Sequence, residues 1–178
     1  EALRCLPISH YAVGKFANER LVEIFCRDRG IAYNHLRMFN IYGEGQDLTR
    51  MDQGLVSIFV AMLLKSSKIV SRGSLDRYRD IVHIDDVVAA WELCAIEQSF
   101  DGPLNLGSGT ALTIKEMIDI IANELGVENE LAVEVVEGTP GDIFGIQADI
   151  SALRAATGFT PAFLPDRGIR QFTRWAAG

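Results

Sequence analysis

The chain has 178 residues, 48% of them hydrophobic, and a formal net charge of -7 at pH 7. That length and composition suffice to bury a sizeable core in one domain or parts of two, and the acidic balance leaves no basic footprint for nucleic acid. No apolar run approaches the roughly 20 residues of a membrane span, because LVSIFVAMLL ends at Lys65, and the N-terminus lacks the order of a signal peptide. Cys5, Cys26 and Cys94 are odd in number and have no metal-ligand spacing, which predicts reduced thiols in a cytoplasmic protein and no metal site.

From His10 the segment HYAVGKFANERLVEIFCRDRG carries apolar residues at helical spacing, Val13, Phe16, Ala17, Leu21, Ile24 and Phe25, with Gly30 as its stop. This stripe is expected to face a core. Tyr11 and Lys15, with Asn18 further along, lie mostly on another face near the helix start, where a ligand can reach them. Residues four apart share a helix face, so the Lys15 ammonium can stabilise a Tyr11 phenolate and let it act as a base below its ordinary pKa near 10. An interfacial Tyr beside a solvated Lys is the plainer reading of the same pair.

The next segment, IAYNHLRMFNIYGEG, reads as a buried strand that opens into a glycine-containing loop, and residues 46–54 continue as loop. LVSIFVAMLLK predicts a buried helix, KIVSRG a short strand and turn, and RDIVHI a second strand. Asp85 or Asp86 then caps a helix running to about Glu97, which is a more economical account of this acidic pair than a metal site. LNL is a further strand. After it, Gly107-Ser108-Gly109 is a turn and not a dinucleotide fingerprint, because Leu112 stands where a third small residue is required. Thr113 and Glu116 form a capping-box pattern for a helix ending near Gly126. LAVEVVE is strand-like, and ADISALRAATG and DRGIRQFTRWAAG are two closing helices. Strands alternating with helices predict an α/β fold, and no Pro/Gly/Ser-rich linker marks a boundary.

The ordered segments SHYAVGK, LRMFNIYGEGQ, RGSLDRYRDIVHIDDVV, LNLGSG and TPGDIFGIQADIS resemble successive signatures of the extended short-chain dehydrogenase/reductase family. Within it they are most similar to the NAD-dependent sugar-nucleotide epimerases and dehydratases, of which UDP-glucose 4-epimerase is the best-known member. The resemblance implies the C-terminal part of a Rossmann-type doubly wound parallel sheet plus a small mixed α/β substrate-binding region, with the N-terminal glycine-rich βαβ half absent. Residues 1–45 would supply the catalytic helix and following strand of the nucleotide-binding domain, and residues 46–178 mainly the substrate-binding region with returning elements of the sheet.

The resemblance also implies roles. Tyr11 would be the general base, with Lys15 lowering its pKa and bonding the nicotinamide ribose, and the Met38-Phe39 backbone would lie near the nicotinamide of NAD, NADP being the other possibility. Asn40 would contact a nucleotide-diphosphate sugar, Arg79 would clamp its diphosphate, and Leu55 and Val56 would pack against the nucleotide. Asn40 could instead bond its own loop, Arg79 could pair with Asp76 or Asp80, and a helix core would explain Leu55 and Val56 equally well. Arg72 could stack on the base or supply charge, and is otherwise an exposed turn residue. Three departures from the family pattern stand out: Gly138 and Thr139 precede Pro140-Gly141-Asp142 where relatives often carry paired arginines, Glu44 replaces a Pro, and Gly14 replaces a Ser. His10 and His83 read as packing residues.

Two other readings remain open, a family reductase of another carbonyl substrate and a non-catalytic binding or assembly module. The chain by itself is expected to be catalytically incompetent and to form a homo-oligomer through an open sheet edge or the Tyr11 helix.

Overall fold

A computed structural model describes residues 5–97, 102–138 and 142–178. Thr139, Pro140 and Gly141, part of the first departure from the family pattern, lie outside the described residues. In chain order the elements are α1 (His10–Arg27), β1 (Asn34–Met38), β2 (Asn40–Tyr42), α2 (Leu55–Lys65), β3 (Lys68–Arg72), β4 (Tyr78–His83) and α3 (Ile84–Ile96). They continue with β5 (Gly102–Leu106), β6 (Ala111–Thr113), α4 (Ile114–Leu125), β7 (Ala132–Val136), β8 (Gly145–Ile146), α5 (Ser151–Thr157) and α6 (Pro165–Ala177).

β4 is the organising strand, buried from Arg79 to His83. It pairs in parallel with β2, Asn40 opposite Ile81 and Tyr42 opposite His83, and in parallel with β8. Its antiparallel partner is β6, with Tyr78 opposite Thr113. β1 and β5 form a separate parallel pair, and so do β3 and β7. The Phe39 amide donates to the Leu106 carbonyl at 2.9 Å, which carries the β1 pairing into the start of β2. This is an α/β fold with mainly parallel pairing, as the alternation of elements predicts.

Two apolar cores flank the strands. Val56, Phe59, Val60 and Leu63 of α2 meet Ile118 and Ile121 of α4, Phe172 of α6, and Ile69 and Ile81 from the strands. Val87, Ala90 and Cys94 of α3 pack with Leu104, Leu106, Leu153 and Phe159. The capping box of α4 forms as its sequence predicts: the Glu116 amide donates to Thr113 Oγ1 at 3.1 Å, and the Thr113 amide to Glu116 Oε2 at 2.7 Å. Gly126 closes this helix at φ 69°, a left-handed conformation suited to glycine.

Three expectations need correction. The apolar stripe of α1 faces outward, with Leu21 65%, Ile24 57%, Val13 53% and Phe25 52% exposed. The helix turns Glu19 and Cys26 inward instead, because its tie to the sheet is polar. Periodicity identifies a stripe but not the side on which the rest of the protein lies. The cap of α3 is His83, whose Nδ1 accepts from the Asp85 amide at 3.3 Å. Asp86 lies in the first turn and accepts from the amides of Ala162 and Phe163 at 2.8 and 3.1 Å, tying α3 to the segment before α6. Finally, β6 and β8 are strands of three and two residues where no strand was expected, too short for an alternating pattern to reveal.

Candidate functional site

Ser9 starts α1 by accepting from the Ala12 amide at 3.1 Å, so the helix opens one residue before Tyr11. Tyr11 is 75% exposed, and Lys15 Nζ sits over its ring, 5.8 Å from the centroid. Both line a cavity of about 550 Å³ whose far wall is β1 and the start of β2, including His35, Met38 and Phe39. The sheet thus brings the Tyr–Lys pair and the Met38-Phe39 segment to one cavity.

The wall also contains groups that the sequence reading missed. Arg37 forks onto Glu19, with Nε to Oε1 at 2.8 Å and Nη2 to Oε2 at 2.7 Å. The Arg37 hydrogen bond holds the Glu19 carboxyl below its ordinary value of 4.5, outweighing the opposing effect of burial. His35 lines the same cavity, and burial pushes its pKa below 6.5, which keeps the imidazole neutral at pH 7. Its Nε2 is buried without a hydrogen-bond partner in the structure. An Arg within an apolar strand, and a Glu one turn beyond Lys15 on the same helix face, were the available signals.

A second cavity of about 550 Å³ shares Arg37, Met38 and Phe39 with the first and adds Asn40, Arg79, Asn105 and Asp142. Asn40 and Arg79 are therefore brought into one cleft. Asn40 Nδ2 donates to the Asp80 carbonyl at 2.8 Å, which fixes the side chain across the β2–β4 pair. Arg79 is only 9% exposed. Its Nη2 donates to Asp142 Oδ1 at 2.7 Å and to the Ile143 carbonyl at 2.9 Å, and its Nη1 to the carbonyls of Tyr78 and Phe144 at 2.9 and 3.2 Å. Its carboxylate partner is Asp142, not Asp76 or Asp80. These bonds occupy four of the five guanidinium N–H groups and leave Nε–H. Asp142 also pairs with Arg77.

Leu55 is half-buried against the first core, and Val56 is 1% exposed within it. Arg72 is exposed at the end of β3, where its carbonyl accepts from Arg77. None of these three lines either cavity. His83 is fully buried, stacked on Phe163 with ring centroids 4.1 Å apart, consistent with a packing role, and its Nε2 lies 3.0 Å from Glu44 Oε2.

The turn at Gly107-Ser108-Gly109 is occupied from within. Asp80 Oδ1 accepts from the Ser108 amide and hydroxyl, both at 2.8 Å, and Oδ2 accepts from the amides of Gly109 at 2.9 Å and Ala148 at 3.1 Å. A Cβ at Gly107 would stand 3.0 Å from the same carboxylate oxygens. A turn whose donors already converge on an internal anion does not fit a dinucleotide pyrophosphate. Among the described residues, no cluster of three His, Cys, Asp or Glu side chains could hold a metal ion, and no helix is long and apolar enough to cross a membrane.

Known proteins share this fold and sequence pattern. Residues 1–107 match the profile of the NAD dependent epimerase/dehydratase family. A dTDP-L-rhamnose 4-epimerase of Burkholderia thailandensis is 30% identical over 174 residues, covering 96% of this chain and 47% of that protein. The structure of UDP-N-acetylglucosamine 4-epimerase from Methanobrevibacter ruminantium M1, in complex with UDP-N-acetylmuramic acid, superposes with a TM-score of 0.90 at 28% identity. That match covers 98% of this chain and 56% of the other. UDP-glucose 4-epimerase of Thermus thermophilus in complex with NAD gives a TM-score of 0.82 at 28% identity, covering 100% of this chain and 59% of the other. The chain spans about half the length of the curated relatives it matches.

Proposed function

The chain belongs to the NAD dependent epimerase/dehydratase family, and on that footing we propose that it carries the general base and the substrate cavity of a nucleotide-sugar epimerase or dehydratase. The observation that supports this most directly is the pair of adjoining cavities: Tyr11 and Lys15 face Met38 and Phe39 in one, and Met38 and Phe39 meet Asn40 and Arg79 in the other. A sugar ring at the shared wall would lie within reach of the base while its nucleotide extended toward Arg79.

In this reading Tyr11 takes the proton of a sugar hydroxyl as that carbon is oxidised to a ketone, and Lys15 stabilises the phenolate by its charge. The hydride chemistry of this oxidation would be supplied by a bound NAD. The exposed phenol, the adjacent ammonium and the Met38-Phe39 wall fit the nicotinamide-ribose end of that cofactor. The pyrophosphate finds no equivalent fit in these cavities, so turnover requires groups beyond them. Arg37 and Arg79 each face an internal carboxylate, which reduces the cationic field available to a diphosphate, and of the Arg79 donors Nε–H alone is not engaged in these bonds. A UDP-glucose 4-epimerase type of reaction, a cytoplasmic location and a homo-oligomer built on the outward stripe of α1 complete the proposal.

Calorimetric titration with UDP-glucose, with NAD and with both tests this reading, alongside the Asn40→Ala and Arg79→Lys variants. Binding of UDP-glucose that weakens in both variants is the expected outcome. A folded chain that takes up no nucleotide sugar would sink it. The reductase alternative predicts a response to NAD or NADP without one to UDP-glucose.

A further inference from the structure

The helix that carries Tyr11 and Lys15 has an unusual attachment. Its large apolar residues point away from the sheet, and Cys26, near its C-terminal end, is its one buried residue among those described. At that end the Ile31 amide donates to the Cys26 carbonyl at 2.9 Å, closing the turn into β1. Between that turn and the catalytic pair, Arg37 of β1 grips Glu19 with two parallel bonds of 2.8 and 2.7 Å. The side chains are 24% and 17% exposed, so solvent competes only partly for them. Glu19 follows Tyr11 and Lys15 on the same helix face at successive spacings of four. Arg37 directly precedes Met38, and it lines both cavities.

We propose that Glu19 and Arg37 are positioning residues, whose forked ion pair sets the register of the Tyr11–Lys15 helix against the Met38-Phe39 wall. The inference rests on the reading of Tyr11 as the base, but its test does not. A single-point contact would fix a distance only. Two parallel N–H···O bonds to a planar carboxylate also fix the rotation of the helix about its own axis, which decides where a side chain one or two turns away points. Among the described residues the large apolar side chains Leu21, Ile24 and Phe25 of α1 turn outward and form no packed seam with the sheet, which leaves this task to the fork within the chain. Reacting groups misplaced by about 1 Å lose on the order of a hundredfold in rate, so a base on a polar-tethered helix depends on the tether.

Helix position can be read on the ligand-free chain. Nitroxide labels at Gly14→Cys, where an added Cβ meets nothing within 4 Å, and Glu92→Cys on the exposed face of α3 report the α1-to-sheet distance by pulsed electron resonance. The background has Cys5, Cys26 and Cys94 replaced by alanine. Glu19→Gln and Arg37→Met are expected to shift the distance distribution or widen it about twofold. Arg37→Lys, which keeps the charge but loses the fork, should fall between them and wild type. The exchanged pair Glu19→Arg/Arg37→Glu should recover a narrow distribution. Circular dichroism verifies that each variant is folded at the temperature of measurement. A purely stabilising pair would lower the melting temperature and leave the distribution unchanged in folded variants, and that result overturns the proposal. Failure of the nucleotide-sugar reading would appear in the ligand titrations and leave the label distances untouched, so the two ideas fail separately.

Discussion

Arg79 and Asp142 face each other across the rim of the second cavity, Nη2 to Oδ1 at 2.7 Å, although they stand 63 positions apart in the chain. The guanidinium also binds three backbone carbonyls, those of Tyr78, Ile143 and Phe144, so one side chain ties β4 to the segment entering β8. Removing it strands three backbone acceptors and leaves Asp142 paired with Arg77 alone. Arg79→Ala should cost about 2–4 kcal/mol in urea unfolding, less than a fully buried pair because Asp142 is partly exposed. Arg79→Lys should recover only a minor part, since a three-donor ammonium cannot span four acceptors. Equal midpoints for wild type and Arg79→Ala would show that the network contributes nothing to stability.

Asp80 offers a second case of an internal anion holding a turn. Burial pushes its pKa above the ordinary 3.8 despite the opposing hydrogen bonds from Ser108, Ala148 and Gly109. Asp80→Asn replaces one acceptor oxygen by an NH₂ group, which must confront a backbone N–H or the Ser108 hydroxyl. The expected loss is about 2–3 kcal/mol, with faster amide exchange at Ser108, Gly109 and Ala148. Unchanged exchange at these three amides would contradict the arrangement.

Tyr42 and Gly168 make a prediction about packing. A Cβ at Gly168 would lie 2.0 Å from the Tyr42 hydroxyl and 3.1 Å from Cζ, and that hydroxyl is buried with no hydrogen-bond partner in the structure. Gly168→Ala should destabilise by about 2–3 kcal/mol through overpacking. Tyr42→Phe should be neutral or stabilising, because it removes an unsatisfied polar group. The double variant should lose less than Gly168→Ala alone, a coupling that thermal melts of the four proteins can measure.

Acid should loosen the first cavity in two steps that begin at different pH. His35 has a folded pKa below 6.5, so the unfolded chain binds the proton more readily. Its contribution is complete above pH 6.5 and falls as pH drops toward the folded value. Glu19 has a folded pKa below 4.5, so its contribution is complete above pH 4.5 and declines only under more acidic conditions. Stability measured against pH should therefore flatten in the upper step for His35→Gln and in the lower for Glu19→Gln. A Glu19→Gln curve parallel to wild type below pH 4.5 would argue that the Arg37 pair does not persist in solution.

Local pattern was enough to determine the α/β class, the helices from α2 to α6, the Thr113–Glu116 box and the Tyr11–Lys15 spacing, because each depends on residues a few positions apart. The ordered motifs were enough to place the chain in its family. Tertiary structure alone decided which way α1 turns, since its apolar stripe specifies a periodicity and not the location of a partner. It also decided that Asp142 neutralises Arg79, that Glu19 meets Arg37, and that Asp80 fills the Gly107-Ser108-Gly109 turn. Two are ion pairs over 63 and 18 residues, and the third is a carboxylate held by neutral donors 28 residues away. No period or propensity encodes such pairings, because a carboxylate finds its donor through the pairing of strands and not through distance along the chain.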